Sequence, residues 1–281
     1  MSHSQVIIED GAESVVVLSD DDGVKTITKR RRPSGKTQYK FEAFAYRKLG
    51  ASGASVPHVL TVNDNELVMS AFTGSTLDDQ TDLYADAAIF RSIAKDLALN
   101  RNIQFNGFGK AIEDKDGAFR GEYSSWSEFL SKTYDKLHSS PILTSKQRSV
   151  LASYWNNKIS KINIDAALLV HGDFALSAVF VKDGEYEGII DFGDAIVGDP
   201  LLDLAYFRFK EITKDYGASI YDLLLDSYLE FSGLNCKYVD EAVKFYMIYW
   251  AVERIHTDNL EPKLITKFIE KSEALITELS K

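Results

Sequence analysis

The segment from Ala166 to Asp191 constrains this chain more than any other. Ala166-Ala167-Leu168-Leu169-Val170 is a wholly apolar run, the pattern of a strand buried on both faces. His171-Gly172-Asp173 follows at once. Two further apolar runs, Val179-Phe180-Val181 and Tyr186 to Ile190, then flank Lys182-Asp183-Gly184-Glu185. Asp-Gly between apolar runs predicts a two-residue hairpin turn, because both central residues must take positive φ. In a hairpin the start of the first strand faces the end of the second, so the residues around Ala178 are expected beside Asp191. Asp173 precedes Ala178 by only five residues, on the loop entering the hairpin. Asp173 and Asp191 are 18 residues apart in sequence, yet both are expected at one mouth. Clustered carboxylates repel unless a proton, a cation or a metal lies between them. Magnesium favours such oxygen ligands and keeps positions open for phosphates. The plainer alternative is that each aspartate caps a turn.

On either side of this segment the texture differs. Residues 1–72 read as β-rich: Val15 to Leu18, then the turn Asp20-Asp21-Asp22-Gly23, then alternation from Val24 to Lys29. A helix is expected over Lys36 to Leu49, capped by Gly50. Two more strands are expected around Val59–Val62 and Glu66–Met69, with Asn63-Asp64-Asn65 turning between them. Beyond Phe72-Thr73-Gly74 the periodicity becomes helical, over Asp82–Asn100, Ser125–Leu137, Ser145–Ile159 and everything after Leu201. The expected organisation is α+β: a small β-rich lobe (1–72) and a larger, mostly helical lobe (73–281) carrying one β hairpin.

Composition excludes several function classes. A chain of 281 residues with 45% hydrophobic and 12% aromatic residues can bury a sizeable core and is not disordered throughout. Cys236 is the only cysteine, with no histidine or second cysteine nearby, so it reads as a structural thiol and not a disulfide or zinc ligand. No apolar run approaches the roughly 18 residues of a membrane helix. The first residues lack an apolar core of signal-peptide length, so a cytoplasmic protein without a membrane partner is expected. Residues 1–72 carry nine Lys/Arg and nine Asp/Glu, so the whole net charge of -10 falls on residues 73–281. Nucleic-acid binding would require a basic face, and the only basic run is Lys29-Arg30-Arg31-Arg32. An acidic second part can attract a cationic ligand or simply form a solvated surface.

The blocks LLVHGDFALSAVFV (168–181) and GIIDFGDAIVGDPLLDLA (188–205) together resemble the aminoglycoside phosphotransferase family, within the protein-kinase-like fold. The resemblance implies a two-lobed kinase-like architecture, Mg2+, and ATP or GTP as co-substrate. Asp173 would orient the acceptor hydroxyl and take its proton, and Asp191 would hold magnesium. His171 and Asp203 would brace the loop. Leu67 to Leu77 resembles the interlobe hinge, where the Ser70 carbonyl and Phe72 amide would recognise the base and Met69 would line its pocket. Gly107-Phe108-Gly109 and Ser124-Ser125-Trp126 resemble a stretch seen in many members.

Such a small lobe needs a cation on the phosphates and a carboxylate to hold it. Tyr39, Ala43, Tyr46 and Leu49 share one helical face, and Glu42 falls on it. A carboxylate on an apolar stripe needs a partner. Lys29 is the expected one, with Arg31 as fallback; the alternative is a Glu42 exposed at the stripe's margin. Asp10 to Ser14 resembles the family's loose phosphate loop, with the backbone near Gly11 and the Ser14 hydroxyl approaching phosphate. The chain departs from the family at Ala178, where an asparagine that serves as second metal ligand is usual. Ser177 is the substitute ligand if the loop shifts, and water is another. This departure keeps a second reading open: a nucleotide-binding, pseudokinase-like protein with little or no turnover. A protein kinase is disfavoured because no Ala-Pro-Glu segment follows Asp191.

The remaining residues carry blander expectations. His58 is expected on a surface loop and His256 on a helix surface. Phe245, Tyr246, Tyr249 and Trp250 are expected in the core, or else as a wall of the acceptor site. The leading reading is phosphoryl transfer to a hydroxyl of a small molecule, with a cationic acceptor such as an aminoglycoside compatible with the charge.

Overall fold

The computed structural model describes residues 3–10, 13–140, 143–162, 164–214, 216 and 219–257. In chain order they form strands β1 (His3–Asp10), β2 (Ser14–Asp21) and β3 (Val24–Arg31), helix α1 (Tyr39–Ala51), strands β4 (Val59–Val62), β5 (Glu66–Ser70) and β6 (Ser75–Thr76), and helix α2 (Ala87–Leu99). Next come β7 (Gln104–Phe105), β8 (Phe108–Glu113), β9 (Phe119–Tyr123), α3 (Trp126–Ser139) and α4 (Ser145–Lys158). The chain continues through β10 (Ala167–Val170), β11 (Val179–Lys182), β12 (Glu185–Ile189) and β13 (Ile196–Gly198), then α5 (Leu201–Lys214), α6 (Ile220–Ser232) and α7 (Cys236–Thr257). This is the expected α+β class, β-rich at the N-terminal end and mainly helical after it. No described helix is long and apolar enough to cross a membrane.

The chain divides into two compact units: Met1–Ile103 with His171–Ile196 and Leu223–Ser232, and Gln104–Val170 with Val197–Asp222 and Gly233–Lys281. A lobe boundary near Phe72 is a separate proposal, since the first unit runs on to Ile103 and gathers two later segments.

The first unit is built on an antiparallel sheet of order β1-β2-β3-β5-β4. The β2–β3 hairpin turns through Asp22 (φ 50°) and Gly23 (φ 89°), the two positive φ values that the Asp-Gly pair predicts. Strand β1 was not anticipated. Its apolar run Val6-Ile7-Ile8 is exposed and shows no buried periodicity; pairing with β2 holds it. Helix α1 buries Tyr39, Phe41, Glu42, Ala43, Ala45, Tyr46 and Leu49. It starts three residues later than expected, because the Glu13 carboxylate captures the Lys36 amide and holds that segment outside the helix. It also runs through Gly50, and Gly53 (φ 92°) takes the left-handed position past its end. A smaller sheet, β12-β11-β6, completes the unit. Its hairpin turns through Asp183 (φ 52°) and Gly184 (φ 80°).

The second unit contains a five-stranded sheet, β7-β10-β13-β8-β9, where only one hairpin was expected in the whole large lobe. The additional hairpin, β8–β9, closes through Asp114, whose side chain accepts the amides of Asp116 and Ala118 at 3.0 and 2.9 Å. Its strands are short and glycine-interrupted, so they carry little alternation. Helix α3 is capped by Ser125 and α4 by a Thr144/Gln147 capping box. Phe245, Tyr246, Tyr249 and Trp250 are all buried on α7, as the core reading expects. Cys236 is exposed at the first position of α7, so it supports no core. The His256 side chain lies outside the described residues.

Candidate active site

A cavity of about 480 Å³ opens in the first unit. Val16, Leu18, Ile27, Met69, Phe72, Phe180 and Ile190 make its apolar walls, and Glu13, Ser14, Lys29, Thr37, Asp191 and Asp194 its polar end. Strand pairing explains how these residues meet. Lys29 lies opposite Val16 on β2 and Leu67 on β5, near the middle of the sheet. Phe180 lies opposite Gly188, whose missing side chain leaves room for the Phe72 ring; a Cβ there would stand 2.4 Å from it.

At the polar end, Lys29 Nζ sits 2.6 Å from Glu42 Oε1 and 2.7 Å from Asp191 Oδ1. Glu42 is wholly buried and Lys29 nearly so. Burial alone would lower the Lys29 pKa, but Glu42 and then Asp191 outweigh it and hold the ammonium well above its usual value. Burial pushes the Glu42 carboxyl up, against the pull of Lys29. Asp191 is held down chiefly by Lys29. Its side chain is packed against protein on one side but remains 58% exposed towards the cavity. The Arg31 alternative for Glu42 does not occur: Arg31 donates to the Thr37 carbonyl and lies over the Tyr39 ring.

The second carboxylate arrives through the hairpin. Val179 pairs with Ile189, and the Ile190 amide donates to the Ala178 carbonyl at 2.9 Å, so Ala178 does adjoin the end of the strand that leads into Asp191. His171 bridges the two segments. The Asp173 amide donates to His171 Nδ1 at 3.4 Å, which leaves Nε2 as the protonated nitrogen donating to the Ile190 carbonyl at 2.8 Å. Gly172 (φ 89°) is required here, because a Cβ would lie 2.0 Å from the Asp194 carbonyl. Asp191 itself has φ 69° and ψ 58°, a left-handed conformation that costs a side-chain-bearing residue about 1–2 kcal/mol.

The other expected residues are distributed as follows. Met69, Ser70 and Phe72 all line the cavity. Among the described residues nothing accepts the Phe72 amide, whereas the Ser70 amide is taken by the His58 carbonyl. Ser14 also lines the cavity, but its hydroxyl is paired with Tyr39 at 2.7 Å. Gly11, expected to approach phosphate, lies outside the described residues. Asp173 is partly buried and Ser177 exposed; neither is among the cavity-lining residues. Ala178 is buried. His58 is exposed. Asp203 is buried in the first turn of α5, in the second unit.

Three contributors were missed in the sequence. Asp194 adds a third carboxylate at the polar end, beside Glu13 and Asp191, although it stands in the same Asp191-Phe192-Gly193-Asp194 run. Glu187 accepts the amides of Thr73 and Gly74, each at 2.9 Å, and so anchors the segment after Phe72. It can do so because the β11–β12 register shifts between Phe180 and Val181, leaving Glu187 without a partner in the ladder. Asp96 accepts the Ser55 amide (2.8 Å) and the Tyr186 hydroxyl (2.7 Å), fixing the loop after α1 to β12. Nothing in the local sequence announces either role.

Among the described residues no three Asp, Glu, His or Cys side chains gather as a self-sufficient metal cage. Magnesium does not require one, since it is typically held by one or two carboxylates together with substrate phosphates and water. Asp191 and Asp194 offer that hard oxygen chemistry on a cavity wall next to a fixed ammonium.

Residues 4–237 match the phosphotransferase enzyme family, APH. Among solved structures, the chain resembles a thermostable variant of aminoglycoside phosphotransferase APH(4)-Ia, crystallised as a ternary complex with AMP-PNP and hygromycin B. The identity is 18%, with 98% of this chain and 94% of that chain covered at a TM-score of 0.73. A provisionally assigned fructosamine-3-kinase from Thermobifida fusca follows at 15% identity, with 99% and 94% covered and a TM-score of 0.70. ADP-bound APH(2'')-Ib gives 17% identity, 96% and 91% covered, and a TM-score of 0.64. No curated protein is matched by the sequence. At such identities the structures establish a shared kinase-like fold.

Proposed function

We propose, from the premise that this chain belongs to the phosphotransferase enzyme family, that it transfers the γ-phosphoryl group of ATP or GTP to a hydroxyl of a small molecule. The observation that carries this reading is Lys29 held between Glu42 and Asp191 at the polar end of an otherwise apolar cavity. An apolar slot suits a purine, and a buried, permanently charged ammonium at its end suits the phosphates. Met69, Ser70 and Phe72 stand where the base would be recognised, and the Phe72 amide is the proposed donor.

In this proposal Lys29 orients the phosphates and Glu42 keeps Lys29 in place. Asp191 would hold magnesium, which when bound neutralises phosphate charge; Ser177 is the second proposed ligand. Asp173 would accept the proton of the acceptor hydroxyl, which makes the oxygen a better nucleophile as the phosphoryl group departs from the nucleotide. His171 holds the Asp173 and Asp191 segments together. Catalysis of this kind is mostly positioning and electrostatic stabilisation, which a pre-set cluster of charges supplies. The net charge of -10, all of it after residue 72, suits a cationic acceptor such as an aminoglycoside, and the similar APH(4)-Ia variant was crystallised with hygromycin B. Sugars, amino alcohols and macrolides are the other acceptor classes to include.

Ala178 favours a second reading, a nucleotide-binding protein with little turnover. Calorimetric titrations of ATP and GTP, with and without magnesium, test both readings. Metal-dependent binding of at least one nucleotide is expected; no binding of either removes both. Ala178→Asn then separates the two. If the site is catalytic and short of one oxygen ligand, the variant should need less magnesium for half-maximal binding. If neither Ala178→Asn nor Ser177→Ala shifts that curve and no acceptor is phosphorylated, the non-catalytic reading replaces the first.

A further inference from the structure

The peptide group that joins Ile190 to Asp191 is held at both ends. Its carbonyl receives the His171 Nε2 proton at 2.8 Å, and its N–H donates to the Tyr46 hydroxyl at 2.7 Å. A peptide plane gripped on both sides cannot rotate freely, and its orientation sets the left-handed φ of Asp191. One of those grips therefore comes from helix α1 and not from the loop itself.

Tyr46 is built for that grip. It is 1% exposed, and its ring meets Phe192 edge-on at 5.4 Å between centroids. It lies one helical turn after Glu42. Its hydroxyl proton points to Glu42 Oε1 at 3.3 Å, the same oxygen that receives Lys29 Nζ. The phenol thus donates to the carboxylate and accepts from the Asp191 amide, using both capacities of one oxygen. Phenylalanine would fill the same space and make the same ring contact, so packing alone does not call for the hydroxyl.

We infer that Tyr46 is a positioning residue, whose hydroxyl ties the Lys29–Glu42 pair to the backbone of Asp191 so that the ammonium and the metal-holding carboxylate are set together. The inference rests on the reading of Asp191 as a magnesium ligand. It states that a residue touching neither nucleotide nor metal controls how well the metal is held.

The test is Tyr46→Phe in the full chain. AMP-PNP binding is measured by calorimetry across a magnesium series and also without metal. Loss of a buried hydrogen bond of this kind is expected to raise the half-saturating magnesium concentration about tenfold. Metal-free AMP-PNP affinity should stay within about twofold of wild type, which a general loss of packing would not spare. Amide exchange read by NMR gives a second measure. The Asp191 amide should exchange about tenfold faster in the variant, with the β11 amides unchanged. A lower melting temperature with an unchanged magnesium series would overturn the inference. Should the variant not fold, the wild-type Asp191 amide decides. Slow exchange, slowed further by AMP-PNP with magnesium but not by AMP-PNP alone, is expected. Exchange as fast as in the exposed turn at Asp114–Gly117 overturns it. Wild type that binds no nucleotide with magnesium would defeat the functional reading, while Asp191 exchange in Tyr46→Phe would still judge the role of Tyr46.

Discussion

Two buried polar networks in this molecule use the same kinds of groups and end in opposite conditions. In the second unit, the Trp126 indole N–H donates to the Tyr246 hydroxyl (2.8 Å), which donates to Asp199 Oδ2 (2.9 Å), while Asp199 Oδ1 accepts the Leu201 amide (3.1 Å). All three side chains are nearly inaccessible, and Trp126 packs on Phe129 with ring centroids 4.9 Å apart. In the first unit, Lys29, Glu42, Tyr46 and Asp191 form a comparable chain, yet Asp191 opens on a cavity and takes a left-handed backbone. Glu42 Oε2 is buried and has no hydrogen-bond partner among the described residues. A closed and satisfied network specifies a core. A network left open, strained and partly unsatisfied holds charge ready for something that arrives later. The contrast teaches that burial of polar groups does not by itself mark a site; incomplete satisfaction beside a cavity does.

The comparison breaks most visibly through Asp173, whose amide His171 ties to the Ile190–Asp191 peptide of the open network in the first unit. Asp173→Asn should lower turnover by about a hundred- to ten-thousandfold, the usual contribution of a positioned general base. Nucleotide affinity should stay nearly unchanged, because Asp173 is not among the cavity-lining residues. Steady-state rates and calorimetry on the same preparation check this. An equal loss of nucleotide affinity would contradict the division of roles between Asp173 and Asp191.

A matched pair of substitutions sharpens it. Tyr246→Phe in the closed network should lower stability by about 1–3 kcal/mol and leave nucleotide binding alone. Glu42→Ala in the open network should lower nucleotide affinity although Glu42 is not among the cavity-lining residues. A double-mutant cycle with Lys29→Ala should show coupling of about 0.5–3 kcal/mol. Denaturant melts and calorimetric titrations supply both readouts. Additive effects of Lys29→Ala and Glu42→Ala would mean that their contact does not act as a unit.

The smallest expected effect is in acid. Lys29 holds Asp191 below the ordinary aspartate value of 3.8, so this group adds stability above that pH and the gain is lost as pH falls through the lowered value. The melting difference between wild type and Asp191→Asn should therefore narrow below about pH 4. A difference that persists unchanged in acid would show that the Lys29–Asp191 contact adds nothing to the folded state.

Much of this site is legible in the sequence, but unevenly. The two Asp-Gly hairpin turns, the approach of Ala178 to the end of β12, and the Glu42-bearing face of α1 follow from short-range rules. The strands missed were those whose local signal is weak: β1, with an exposed apolar run, and β8–β9, interrupted by glycine. The expected end of α1 at Gly50 failed because a glycine within a helix is tolerated, and Gly53 was better placed for the left-handed turn. The Ser14 hydroxyl, expected to approach phosphate, lines the cavity and is also paired with Tyr39, 25 residues away, a contact no spacing announces.

What the sequence determined by itself is what one or two turns of chain can encode. Asp-Gly pairs fix turn geometry through φ, alternation and helical period assign faces, and a carboxylate on an apolar stripe demands a cation. The tertiary structure alone decided that Lys29 also reaches Asp191, 162 residues away, and that Tyr46 holds the Asp191 amide across 145 residues. No spacing in the sequence records such meetings. They arise where desolvated polar groups must find partners among whatever the packed elements bring near, and only the assembled sheet and helix determine which groups those are.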